Sequence, residues 1–177
     1  MIYLFLEEGF EETEAIATLD FIIRGGIDIK TVASKEYVTG THNITVKADL
    51  RYEDITTDNL EGVILPGGVP GTTNLGKNPK VIEYLKYCYD NSLMIAAICA
   101  APSVPGKLGF LKGKKATCYP SFEEYLEGAE VSSEKVVADG NIITGKAMGA
   151  AIPFGYKIVE YLKDKETADE VSESIYE

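Results

Sequence analysis

Cys99 closes the apolar run Leu93–Ile98 and opens a segment of small residues that begins Ala100-Ala101-Pro102. A thiol at such a joint, where a strand turns sharply toward a helix, has the geometry of a nucleophile elbow, with cysteine in place of serine and without the flanking glycines of the hydrolase version. The small neighbours Ala96, Ala97, Ala100 and Ala101 suit a tight turn packed against a sheet. A sulfur at a helix start faces unsatisfied N–H groups and the positive end of the dipole, which predicts a thiol pKa lowered by one or more from about 8.5. Its thiolate is both a nucleophile and an oxidation target. Backbone N–H groups of Gly67 and Gly68, with that of Ala100, are candidate donors to an oxyanion formed when Cys99 attacks a carbonyl, or to oxygens added to the sulfur. Glu11 and Glu12 read as acids favouring a helix N-terminus. Glu14 stays open between that reading and a carboxyl partner whose proton is coupled to the thiol's, in which case Glu14 should be the group held neutral.

These residues need elements to hold them. Ile2–Leu6 is a short apolar run, after which Ala15, Ile16, Leu19, Ile22 and Ile23 lay one stripe along a helix that stops at Gly25-Gly26. Ile27–Ala33 returns as a second strand, so the first third predicts a β–α–β unit with parallel strands. Val38–Lys47, broken by Gly40-Thr41-His42-Asn43, reads as a small hairpin with His42 at its tip. Gly62–Leu65 is a buried strand ending in Pro66-Gly67-Gly68, and a glycine-bearing loop leads from it to a helix from about Pro79 to Asp90, with Val81, Ile82, Leu85 and Cys88 inward. Leu93–Ile98, Ala116–Cys118 and Val136–Thr144 supply further strands, and Ala151–Leu162 carries a final helical stripe. The alternation predicts an α/β fold, a mostly parallel sheet between helices, as a single domain over residues 1–177. The last ten residues alone lack the pattern of an ordered element. In an open sheet of this kind, sites form beyond the carboxyl ends of strands where the strand order reverses. Glu7–Glu14, Pro66–Gly68 and Cys99–Ala101 share that address.

Composition narrows the partners. A formal charge of −11 repels a phosphate backbone, and the longest basic cluster is the turn Lys112-Gly113-Lys114-Lys115, so no nucleic acid is expected. No apolar stretch approaches the ~20 residues of a membrane span, and the N-terminus lacks a charged leader, which predicts a cytoplasmic protein without a membrane partner. Three cysteines (Cys88, Cys99, Cys118) without CxxC spacing argue against a disulfide framework. One histidine without a Cys/His cluster argues against a zinc site. Cys88 falls on an apolar helical stripe and reads as core; alternation turns Cys118 away from Tyr119 and inward.

The segments GFEETEA (Gly9–Ala15), GVILPGG (Gly62–Gly68), MIAAICAAPSV (Met94–Val104), ATCYP (Ala116–Pro120) and IVEYL (Ile158–Leu162) together resemble the ThiJ/PfpI superfamily, in its Parkinsonism-associated deglycase branch. The resemblance runs over essentially the whole chain. It implies a flavodoxin-like sandwich, a homodimer, no cofactor, and a reactive elbow cysteine at Cys99 with Glu14 as its carboxyl partner and general base. It also implies that the hairpin reaches across the dimer, where His42 would act in trans, and it puts Lys146 where relatives often carry an arginine. One departure matters: better-known members carry a histidine where this chain has Tyr119. A phenol is a poor base at neutral pH, which disfavours a PfpI-like cysteine peptidase, since acyl transfer to cysteine needs a proton shuttle to the leaving amine. Tyr119 remains an auxiliary hydrogen-bond donor or a packed strand cap. The expected activity is a cofactor-independent glyoxalase or deglycase acting on a small carbonyl substrate, with a redox-responsive or chaperone-like protein, whose Cys99 meets an oxidant, as the alternative.

Overall fold

The computed structural model describes residues 1–176. In chain order its elements are β1 (Ile2–Leu6), α1 (Glu12–Arg24), β2 (Ile29–Ala33), β3 (Tyr37–Thr39), β4 (Thr45–Lys47), β5 (Leu50–Arg51), β6 (Gly62–Leu65), α2 (Gly71–Lys77) and α3 (Pro79–Asp90). They continue with β7 (Met94–Ile98), α4 (Ser103–Lys107), β8 (Lys115–Ala116), β9 (Glu130–Val131), β10 (Val136–Asp139), β11 (Ile142–Gly145), α5 (Ala151–Leu162) and α6 (Lys165–Ser174). Seven strands form one sheet in the order β10-β11-β7-β6-β1-β2-β5. Every pairing in it is parallel except β10 with β11.

Parallel strands covered on both faces must be apolar on both, and β1 and β7 are buried throughout. Leu4, Leu6, Ala96 and Ile98 face the layer of α1 and α5, packing with Phe21, Phe154 and Ile158. Phe5, Ile95 and Ala97 face the other layer, with Leu75, Leu85 and Cys88. The chain leaves β1 toward β2 on one side and returns to β6 on the other, so the strand order reverses between β1 and β6. Their carboxyl ends open the crevice in which such folds place sites.

Several expectations need correction. On α1 the buried face is Ala15, Thr18, Phe21 and Ile22, while Ile16 and Ile23 are exposed. The stretch Gly71–Lys77, expected as a loop, is the helix α2. Strand β8 ends at Ala116, short of Cys118, and pairs only with β9 outside the main sheet. The C-terminal segment, expected without order, forms α6, which buries Ala168 and Val171. Its polar composition hid a helix that docks on α5, where Tyr156 Oη–H also donates to Asp169 Oδ1 at 2.6 Å.

Candidate functional site

Cys99 follows β7 with φ 65°, the left-handed region that a residue with a side chain enters at a cost of about 1–3 kcal/mol. The turn is over-determined: Cys99 N–H donates to Gly145 O at 2.9 Å, Tyr119 N–H donates to Cys99 O at 2.7 Å, and Ala101 N–H donates to Ile98 O at 3.0 Å. Held this way, the half-buried sulfur sits over the carboxyl end of the sheet, where the N–H groups of Ala100 and Gly68 favour its negative form. The helix expected immediately after it is displaced. Helix α4 starts only at Ser103 and is five residues long, so the two individual peptide N–H groups, rather than a macrodipole, face the sulfur.

Glu14 comes to the same point from the first turn of α1. Its carboxyl is 1% exposed and its Oε2 accepts from Gly67 N–H at 2.8 Å. Gly67 was expected to aim its N–H at an oxyanion; it is committed to Glu14 instead. On its other face, Gly67 O accepts from Glu11 N–H at 2.9 Å. A Cβ at residue 67 would lie 2.5 Å from Glu14 Oε2 and 2.6 Å from Cys99 Cβ, so only glycine lets carboxyl and thiol meet across this loop. Glu14 Oε1 is buried without a hydrogen-bond partner among the described residues.

Burial dominates the electrostatics. It pushes Glu14 up to about 7, against the pull of the Cys99 thiol and Gly67 N–H, with the Glu11 charge adding to the rise. It pushes Cys99 up to about 12, helped by the Glu14 charge and hydrogen bond and opposed by Ala100 and Gly68 N–H. The thiol is therefore raised where the sequence predicted it lowered, because burial outweighs the nearby N–H groups, while the rise of Glu14 is in the direction of a carboxyl held neutral. Two anions in this space repel, so the proton is shared property of the pair.

The remaining expected residues sort by position. Tyr119 is anchored to the elbow through its backbone, and its ring is exposed. His42 does sit at the hairpin tip, but its Nδ1 is 2.9 Å from Glu12 Oε2 and its N–H donates to Glu12 Oε1 at 2.7 Å. Glu12, expected as a plain helix-start acid, is buried beneath the hairpin, while Glu11 caps α1 by accepting from Glu14 N–H at 2.6 Å. The docking of a hairpin tip on a helix start leaves no periodic trace in sequence, so nothing there announced it. Cys88 and Cys118 are buried, with burial raising them to about 12 and about 11. Lys146 Nζ donates to Ser133 O at 3.2 Å, an exposed contact.

Comparison with known proteins agrees with this fold. The model of the DJ-1/PfpI family matches residues 1–161. "Protein DJ-1 homolog B" of Arabidopsis thaliana is 42% identical over 93% of this chain, which spans only 38% of that relative's length. A protein of Pyrococcus abyssi named a deglycase is 29% identical over 87% of this chain and 94% of its own. The crystal structure of a cysteine-to-alanine mutant of a DJ-1 superfamily protein from Salmonella typhimurium superposes with a TM-score of 0.93 at 33% identity, covering 99% of this chain and 97% of that one.

Proposed function

The chain belongs to the DJ-1/PfpI family, and from that premise we propose that it is a cysteine-dependent enzyme of glyoxalase or deglycase type, acting on reactive dicarbonyls such as methylglyoxal or on their adducts with amines and thiols. The observation that carries the reading is the Gly67 bridge, which sets a buried carboxyl against an elbow thiol. A carboxyl ionising near 7 beside a thiol that holds its proton is suited to general-base work. Sulfur adds to the aldehyde carbon as Glu14 takes the thiol proton, and the N–H groups of Gly68 and Ala100 lie beside the developing oxyanion. Glu14 returns that proton to the oxygen, giving a hemithioacetal. It then removes the C–H proton and delivers it to the neighbouring carbon while the hydroxyl proton passes to the neighbouring oxygen, leaving a thioester. Water cleaves the thioester to lactate and restores the thiol, so methylglyoxal plus water gives lactic acid with no external oxidant or reductant. Lactate release from methylglyoxal that disappears in Cys99→Ala and in Glu14→Gln is the expected result; undiminished release in either variant refutes the assignment.

A second reading is favoured by the partial exposure of Cys99 and the two N–H groups converging on its sulfur. In it, peroxide oxidises Cys99 to a sulfinate and no turnover occurs. A two-oxygen mass gain on Cys99 without lactate formation distinguishes it. A peptidase finds less support, because the chain's one histidine is paired with Glu12 and Tyr119 stands at the elbow. A homodimer is the expected assembly, and Ile16 on α1 beside Ile44 on the hairpin offers an exposed apolar face for it. Among the described residues no helix is long and apolar enough to cross a membrane. A single domain working in the cytoplasm completes the proposal.

A further inference from the structure

Glu11 and Glu12 open α1, and His42 tips the β3–β4 hairpin, yet their side chains meet. His42 Nδ1 lies 2.9 Å from Glu12 Oε2 and 3.9 Å from Glu11 Oε1. Each carboxylate is aimed by a backbone donor on its other oxygen. Glu11 Oε2 accepts from Glu14 N–H at 2.6 Å, and Glu12 Oε1 accepts from His42 N–H at 2.7 Å and Ile44 N–H at 3.4 Å. That leaves Glu11 Oε1 and Glu12 Oε2 turned toward the imidazole. The hairpin is bolted in place: Gly9 N–H donates to Thr39 O and Thr41 N–H to Phe10 O, each at 2.8 Å, and a Cβ at Gly40 would meet the Glu12 carboxylate at 2.3 Å.

An ion pair accounts for half of this. A protonated imidazole has one Nδ1–H, which Glu12 takes, and Glu11 at 3.9 Å makes no hydrogen bond with it. Two carboxylates against one imidazolium leave a net negative charge, and the Glu11 side chain is only 13% exposed. A nitrogen and two carboxylate oxygens are the donor types of a borderline divalent ion. The spacing fits as well. Metal–ligand bonds of about 2.0–2.1 Å in a tetrahedron separate ligands by roughly 3.3–3.4 Å, which the 2.9 and 3.9 Å distances bracket. All three atoms lie within 4.8 Å of one another. The backbone bonds to the two carboxylates are the outer contacts that orient ligands in metal sites, and the exposed His42 ring leaves a path of entry.

We propose that Glu11, Glu12 and His42 form a three-ligand binding site for a divalent transition-metal ion of the zinc class, open at its fourth position. The sequence argued against zinc because its ligands were sought at Cys/His spacings, whereas here a helix start and a hairpin tip bring them together.

The test uses tag-free protein and zinc chloride alone, titrated calorimetrically in a Cys99→Ala background so that no elbow thiol competes. One zinc per chain is expected, with at least tenfold weaker binding when His42→Ala or Glu11→Gln is added. Gln at 11 keeps a carbonyl to cap α1, and His42→Gln repeats the measurement should alanine loosen the hairpin. Cobalt bound in place of zinc should show ligand-field bands without a sulfur charge-transfer band. Loss of all binding in Cys99→Ala overturns the proposal, as does either added variant binding as tightly as its parent, or a sulfur band in the cobalt spectrum.

Discussion

Replacing Glu14 with Gln should make Cys99 more reactive toward a simple alkylating agent while removing turnover. In the wild type the pair loses one proton near 7 and holds the other to about 12. Burial is the larger cause of the rise and survives the substitution, so loss of the carboxylate brings the thiol only part of the way from about 12 back toward 9. Between pH 7 and 10 the single negative charge of the wild-type pair then resides on sulfur in only a small minority of molecules. Iodoacetamide labelling of the Cys99 peptide, followed by mass spectrometry against pH, should show a low plateau beginning near 7. Glu14→Gln should instead titrate as one group between 9 and about 12 and react faster than wild type at pH 10. Superimposable curves for the two proteins, or a wild-type curve with a single inflection near that of a free thiol, would refute the coupling.

The same carboxyl sets a pH dependence of stability. Its pKa is raised from 4.5 to about 7 on folding, so its contribution is complete below 4.5 and is lost as pH rises through about 7. Relative to wild type, Glu14→Gln should gain about 3 kcal/mol between pH 4.5 and 8 in urea unfolding; a difference that does not change with pH contradicts the shift. Gly67→Ala, whose methyl would meet Glu14 Oε2 at 2.5 Å, should separate acid from thiol and abolish lactate formation, and retained turnover would remove the bridge from the mechanism. Cys88→Ser places a hydroxyl in a fully buried apolar site, with an expected loss of about 1–3 kcal/mol and no change in the Cys99 labelling curve. A shifted curve in that variant would show that labelling reports global loosening.

The sheet was legible because strands covered on both faces leave continuous apolar runs, as in Ile2–Leu6 and Met94–Ile98. The elbow was legible too, since a cysteine among alanines at a strand end has few other readings. What escaped were features set by tertiary contact. Helix α2, Gly-Thr-Thr-Asn-Leu-Gly-Lys, has poor intrinsic propensity, and only docking against β1 and α3 makes it a helix. Ile16 and Ile23 looked like core because periodicity fixes a stripe but not which edge of it faces inward. The rise of both Cys99 and Glu14 depends on how deeply each is buried, a quantity no motif encodes.

The peptide unit at Gly67 grips the first turn of α1 at two places, the Glu11 N–H through its oxygen and the Glu14 carboxylate through its nitrogen. The acid is therefore held by main-chain atoms, which side-chain substitutions scarcely move. A single methyl added at the clasp would collide with the acid on one side and the elbow on the other.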